Sequence, residues 1–300
     1  MILGIIGCGA VGGALKRWFE KNTTHTLRLR DPALDRDDSM KDCEAVFIAV
    51  PVPTDPKSGD QDLSILKQEI CFLTAPPQVP VFIKSTVLPG TCNHLTTLYS
   101  RPVIAMPEFL TERTADADFE AQPVVCGGAT MNAWEILLPI FQGKELLVAD
   151  STEAEIAKYA HNCFCAMKVG FFNIIRELCR RTGANYENVL HLANTTGFVG
   201  TSHTKVPGPD GKFGFGGKCL TKDLLAFTQF LHKEKIVGAW TLTEVLRDNE
   251  PFRNATGEEV IFNEKDKKQE VQEVHESEKA VYLTHKEPGA GSSLPAPVLF

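Results

Sequence analysis

Three hundred residues, 43% of them hydrophobic and 23% charged, are enough for two packed units. A net charge of −7 argues against a nucleic-acid or anionic-membrane partner, which would need clustered Lys and Arg, and points to a small-molecule one. Nine scattered cysteines without a CxxC pair imply reduced thiols and no metal site. With no signal peptide or spanning stretch evident, the cytoplasm is the expected location.

The opening "MILGIIG" reads as a buried strand, and "CGAVGGALKRWFEK" spaces Val11, Leu15, Trp18 and Phe19 as a helix does. Between them lies Gly7-x-Gly9-x-x-Gly12, the turn in which glycines let a dinucleotide pyrophosphate approach the backbone. "THTLRLRD" is a second strand ending at Asp31, placed to accept hydrogen bonds from ribose hydroxyls and to repel a 2′-phosphate. NAD is therefore favoured over NADP, although Arg28 and Arg30 stand close by. A ligand-free glycine turn and an S-adenosylmethionine site are the alternatives.

Further strands are expected at "AVFIAV", "VPVFIKS", "PVIAM" and "PVVCGG", which predicts a mostly parallel sheet covered by helices. Ligands of such sheets sit at the carboxyl ends of the strands. The segments "PVPTD", Thr86 with "VLPGT", and Pro107-Glu108-"FLTER" should thus face one crevice.

At Ser151 the pattern changes to a single long helix with a Ser/Thr start and a glycine stop, "STEAEIAKYAHNCFCAMKVGFFNIIRELCRRTG". Lys158 and Asn162, spaced i, i+4 on one face and expected near its first turn, are candidates to grip a developing oxyanion. His161 between them is expected to face away. Helices at "YENVLHLANTT", "LTKDLLAFTQFLHKE" and "GAWTLTEVLRDNEPFR" complete a helical domain. The expected division is 1–150 for dinucleotide binding, 151–254 helical, and 255–300 a polar, flexible tail in which "KAVYLTH" is a candidate strand.

"GFGGKCLTKD" places Cys219 after a bare glycine loop, at the start of a helix, with Lys218 and Lys222 to stabilise a thiolate. An incidental thiol in a flexible loop is the plainer reading. The eight histidines form no HExxH and no evident triad.

Taken in order, "GIIGCGAVG", "VFIAVPVPTD", "IKSTVLPGT", "MPEFLTERTA", "EIAKYAHNCFCAMKVGFFNIIRELCRRTGA" and "PGPDGKFGFGGKCLTKD" resemble the UDP-glucose/GDP-mannose dehydrogenase family across about residues 1 to 254. The resemblance implies an α/β chain, with an N-terminal Rossmann doubly wound parallel sheet followed by an all-helical central domain that builds a homodimer. It implies NAD-dependent four-electron oxidation of a nucleotide sugar, UDP-glucose being favoured, with a UDP-glucuronate product. By the same resemblance Cys219 matches the nucleophile that forms a thiohemiacetal and then a thioester. Lys158 and Asn162 match the oxyanion pair, Asp223 a carboxylate that places water and Lys158, and Glu108 and Thr86 the groups that assist hydrolysis. Cofactor contacts are expected from Gly7, Gly9, Ala10, Val11, Gly12, Asp31, Val50, Pro51, Thr54, Ser85, Thr86, Glu112 and Lys222. Substrate contacts are expected from Glu108, Phe109, Leu110, Lys158, Asn162, Phe215, Gly216, Gly217 and Cys219.

The chain departs from the pattern at Thr221, where a proline is usual, and at Arg113, where a glycine is usual. The further nucleotide-closing domain of full-length members is not matched after Arg253, so a short form is expected. A non-catalytic binding protein, a partner subunit, or a beta-hydroxyacid dehydrogenase needing one hydride transfer and no thiol are the competing readings.

Overall fold

The computed structural model describes residues 1–128, 131–217 and 219–255; Lys218 and the stretch expected to form a tail, from residue 256 on, lie outside them. Residues 1–254 make one compact unit.

Six strands, β1 (Ile2–Ile6), β2 (Thr26–Asp31), β3 (Arg36–Asp37), β4 (Ala45–Ile48), β5 (Val81–Ile83) and β6 (Val103–Ala105), form one sheet in the order β3-β2-β1-β4-β5-β6. All neighbours pair in parallel except β2 with β3, a two-residue antiparallel edge. The chain runs outward from β1 to β2 and then crosses back to β4. The switch point, where a ligand crevice opens in such sheets, therefore lies between β1 and β4. β7 (Val124–Gly127) and β8 (Leu146–Ala149) pair in a separate parallel ribbon. "PVVCGG" is thus a strand that does not hydrogen-bond to the main sheet, and "LLVA" is its unanticipated partner.

Strand side chains alternate between two cores, as a pleat requires. Leu3, Ile5, Ala45, Phe47, Phe82 and Ile104 face α1 (Ala10–Asn22), where Trp18 and Phe19 meet Phe119 of α4 (Ala115–Ala121) and Phe141. Ile6, Val46, Ile48, Val81, Ile83, Val103 and Ala105 face α2 (Ser64–Cys71) and α3 (Thr91–Tyr99) through Leu66, Ile70, Cys92 and Leu95. A helix α5 (Met131–Ile140) separates β7 from β8.

The long helix α6 runs from Ser151 to Thr182. Its cap is Asp150: the carboxylate accepts from Thr152 N at 2.8 Å, while Asp150 N donates to Glu153 at 2.8 Å. Gly183, at φ 72°, ends it. Lys158 is therefore its eighth residue, more than two turns in and beyond reach of the positive helix terminus, which corrects its expected place in the first turn. α7 (Tyr186–Ala193), α8 (Leu220–Lys233) and α9 (Ala239–Asn254) follow. Tyr159, Cys163 and Ala166 of α6 pack with Phe215 and Leu224 in a third core.

Candidate active site

The β1–α1 turn is shaped to leave its backbone bare. Gly7 takes φ 84° and donates to Arg30 O at 2.9 Å. A Cβ at Gly12 would lie 1.9 Å from Gly7 O, so only glycine lets the helix sit this close to the strand. At Gly9 a Cβ would meet nothing within 4 Å: the space beside this residue is open. Helix α1 has no side-chain cap and no acidic residue in its first turn, which leaves its N–H groups, with Ala10 and Val11 at the start, suited to an anion.

Asp31 closes β2 beside this turn, accepting from Cys8 N at 2.5 Å and from Ala33 N at 2.8 Å. The arginines around it are engaged. Arg28 pairs with Asp42 at 2.5 Å, Arg30 with Asp37 at 3.0 Å and Glu69 at 3.1 Å, and Arg36 with Asp38 at 2.7 Å. This arrangement favours a ribose diol over a 2′-phosphate.

Beyond β4, Val50 O accepts from Ser85 Oγ at 2.6 Å, which joins two of the expected cofactor loops, and Pro51 follows, exposed. Thr54 bridges Gln61 backbone to backbone, and its hydroxyl is buried with no hydrogen-bond partner among the described residues. Glu112 is exposed at the head of a short 3-10 turn.

Four catalytic candidates form two pairs along α6, one with Glu108 beyond β6 and one with Asp223 of α8. Lys158 donates to Glu108 O at 2.5 Å and pairs with its carboxylate at 3.3 Å. Asn162 donates to Asp223 Oδ2 at 2.7 Å, and Lys222 caps the other oxygen of Asp223. Lys158, Asn162 and Asp223 are all buried, so each polar group here depends on its partner. Lys158 is thus held by Glu108, and Asp223 by Asn162 and Lys222. Thr86 lines a small cavity with Ser85, Pro107, Glu155 and Lys158.

Cys219 is the residue before α8, exposed at its N-terminus. Although the residue is exposed, the protein mass around it pushes its thiol pKa up; Asp223 acts in the same sense, while Lys222 and Lys158 act against them. Lys222 and Lys158 thus act on the thiol in the sense expected of them, with burial the largest opposing influence and Asp223 the next. The expected contribution of Lys218 lies outside the described residues.

The substrate-side residues divide. Phe109 receives the Lys158 ammonium 5.4 Å from its ring centroid, and Leu110 N donates to Glu108. Gly217 has φ 80° and open space beside it. A Cβ at Gly216 would meet the Arg253 guanidinium at 2.6 Å. Phe215 is 2% exposed and belongs to the third core, its peptide held at both ends by Asn249, so its side chain packs and does not face a cleft.

Two residues, Lys84 and Gln61, escaped the sequence reading, and the expectation for a third is corrected. His161 does not face away: its ring lies 5.1 Å from that of Phe109, edge to face, and Nδ1 is 3.1 Å from Asn162 Oδ1. Lys84 is buried at the end of β5, beside Glu108 and Lys158. A lysine ending an apolar strand at the crevice edge was a legible signal. Gln61, in a polar loop, gave none. Among the described residues no cluster of His, Cys, Asp and Glu is placed to hold a metal ion.

Comparisons with known proteins place the chain in a family. Residues 13–144 match the model of the UDP-glucose/GDP-mannose dehydrogenase family, NAD binding domain, and residues 152–250 match that family's central domain. A UDP-glucose 6-dehydrogenase of Rickettsia bellii is 33% identical over 225 residues, 71% of this chain and 50% of that protein. The chain spans about half the length of the curated relatives it matches. A solved UDP-glucose dehydrogenase from Pyrobaculum islandicum superposes with a TM-score of 0.71 at 25% identity, covering 83% of this chain and 68% of that one. A 3-hydroxyisobutyrate dehydrogenase of Mycobacterium tuberculosis gives a TM-score of 0.65 at 16% identity, covering 82% of this chain and 91% of that one, a likeness of fold alone.

Proposed function

The chain belongs to the UDP-glucose/GDP-mannose dehydrogenase family, and from that premise we propose that it oxidises a nucleotide sugar, UDP-glucose first among them, by four electrons to the uronate. The observation that supports this most is the joining of Lys158 to Glu108 and of Asn162 to Asp223 within electrostatic range of Cys219. The β1–α1 turn, Asp31 and the unpartnered Thr54 hydroxyl fit NAD, which accepts a hydride at each of the two oxidations.

The residues then act in sequence. The C6 hydroxyl gives its proton to water as the hydride leaves, and Lys158 with Asn162 stabilises the oxygen. Cys219 gives up its proton and its sulfur adds to the aldehyde carbon, which keeps the intermediate from escaping. Loss of a second hydride, with the thiohemiacetal hydroxyl giving its proton to water, leaves a thioester. Water, placed by Glu108 and Thr86, adds to the carbonyl; the carbon–sulfur bond breaks, the sulfur regains a proton, and the acid departs. Burial and Asp223 raise the thiol pKa, so its deprotonation needs a base once substrate is bound, and the Asp223 carboxylate is the base proposed.

Exposed Phe164, Phe171, Ile174 and Leu178 form a stripe along α6, and a second copy of the chain is the partner proposed for it. No helix among the described residues is long and apolar enough to cross a membrane, and all nine cysteines are free, which fits action in the cytoplasm.

The test of the chemistry is Cys219→Ala assayed with UDP-glucose and NAD. We expect a loss of at least about a hundredfold in NADH formation, with the remainder stopping at one NADH per sugar. Undiminished turnover would favour a one-step dehydrogenase of the beta-hydroxyacid type.

A further inference from the structure

Gln61 lies in the loop that follows β4, and its side-chain amide uses every hydrogen-bond donor it has. Nε2 donates to Thr86 O at 3.2 Å and to Tyr159 Oη at 2.8 Å, while Oε1 accepts from Leu88 N at 3.0 Å. The partners fix the amide's orientation, since a flip would set oxygen against the Thr86 carbonyl and N–H against the Leu88 N–H. Both peptide planes flanking Val87 are thereby pinned by one side chain, and the position of Thr86 follows from them.

The far ends of this connection reach both catalytic helices. Tyr159, next to Lys158 on α6, is fully buried and stacks on Phe227 of α8 with ring centroids 4.9 Å apart and planes at 10°. Immediately before Gln61, Asp60 pairs with Lys233 of α8, and a Cβ at Gly59 would lie 2.3 Å from Gln229 on that helix. One short loop therefore ties the Thr86 segment, the Lys158 helix and the helix that begins after Cys219.

We propose that Gln61 is a positioning residue for the hydrolytic half of the reaction: it holds Thr86 against α6 so that water meets the acyl carbon attached to Cys219. This rests on the function proposed above. The cofactor is expected to be held by the β1–α1 turn, Asp31 and the Val50–Ser85 junction as well as by Thr86, so hydride transfer tolerates a small shift of Thr86. Hydrolysis does not, since a misplacement of about 1 Å can cost on the order of a hundredfold in rate.

The experiment compares wild type with Gln61→Met, which keeps the length and removes all three hydrogen bonds. Quenched samples taken during turnover with NAD and UDP-glucose are weighed by intact-mass spectrometry, and exchange of the Leu88 amide is followed by NMR. We expect Gln61→Met to lower kcat about tenfold, to accumulate the acylated enzyme, and to speed Leu88 exchange at least tenfold, with NAD affinity within about twofold. Should that variant fail to fold, Gln61→Glu keeps the acceptor for Leu88 and removes the donors to Thr86 and Tyr159, and it should accumulate the same adduct. Unchanged kcat, or a fall in kcat and NAD affinity together without adduct, overturns the assignment alone. A wild-type chain that makes no NADH with any nucleotide sugar refutes the dehydrogenase reading, and this assignment with it.

Discussion

Lys84 continues β5 in phase with Phe82, so its side chain enters the core shared with Phe119. Burial lowers its pKa to about 8, with Glu108 raising it and Lys158 lowering it further. Cys126 and Lys144 are the other titratable groups that face it. The sign of the linkage is fixed by a folded pKa below the unfolded one of about 10.4. Between those two values the unfolded chain holds a proton the folded chain has shed, so stability rises with pH; below about 8 the full penalty of a buried ammonium persists. Lys84→Met should therefore be more stable than wild type at pH 7 by up to about 3 kcal/mol, and the gain should fade as pH climbs towards 10. Denaturant melts at both pH values check this, and a gain that grew with pH would show that the fold favours the charged amine, with a folded pKa above the unfolded one. The cost of holding this ammonium is consistent with a site that needs positive charge behind Glu108. Sequence reading reached Glu108 and Lys158 through their motif neighbours, but Lys84, whose ammonium lies 3.5 Å from Pro107 O beside them, is distant from both in the chain.

Among the elements, the β1–α1 turn was legible because its three glycines answer separate steric demands, each visible as a spacing. Those demands predict opposite outcomes for two alanine substitutions. Gly12→Ala puts a methyl group into Gly7 O, so strand and helix must part and the melting temperature should fall by several degrees. Gly9→Ala meets nothing in the protein and should leave melting within about a degree, yet weaken NAD binding at least tenfold, since its methyl enters the space a pyrophosphate would take. Calorimetry with and without NAD separates the two; equal losses of stability would contradict the reading. Other elements were hidden. β3 is two residues long, below the length at which alternation is visible, and β8 is four residues whose partner lies twenty-two positions away. Lys158 was set too near the start of α6 because the i, i+4 pairing with Asn162 fixes a face and says nothing of distance from the cap.

At the scale of the whole molecule, the sheet brings its carboxyl ends to one side, and α6 joins that side to α8, which begins after Cys219 and carries Asp223. The same helix exposes an apolar stripe. Phe171→Glu on that stripe should convert a dimer into a monomer in sedimentation, while the intramolecular core around Phe172 keeps the fold. A wild-type chain that sediments as a monomer would assign the stripe to another partner.

The most direct measurement counts NADH formed per UDP-glucose consumed by the purified chain. Two NADH per sugar, with UDP-glucuronate as product, is the result expected of a site that tethers the aldehyde on Cys219 and hydrolyses the thioester beside Glu108 and Thr86. One NADH per sugar with free aldehyde released would contradict the tether, and with it the role assigned to the thiol.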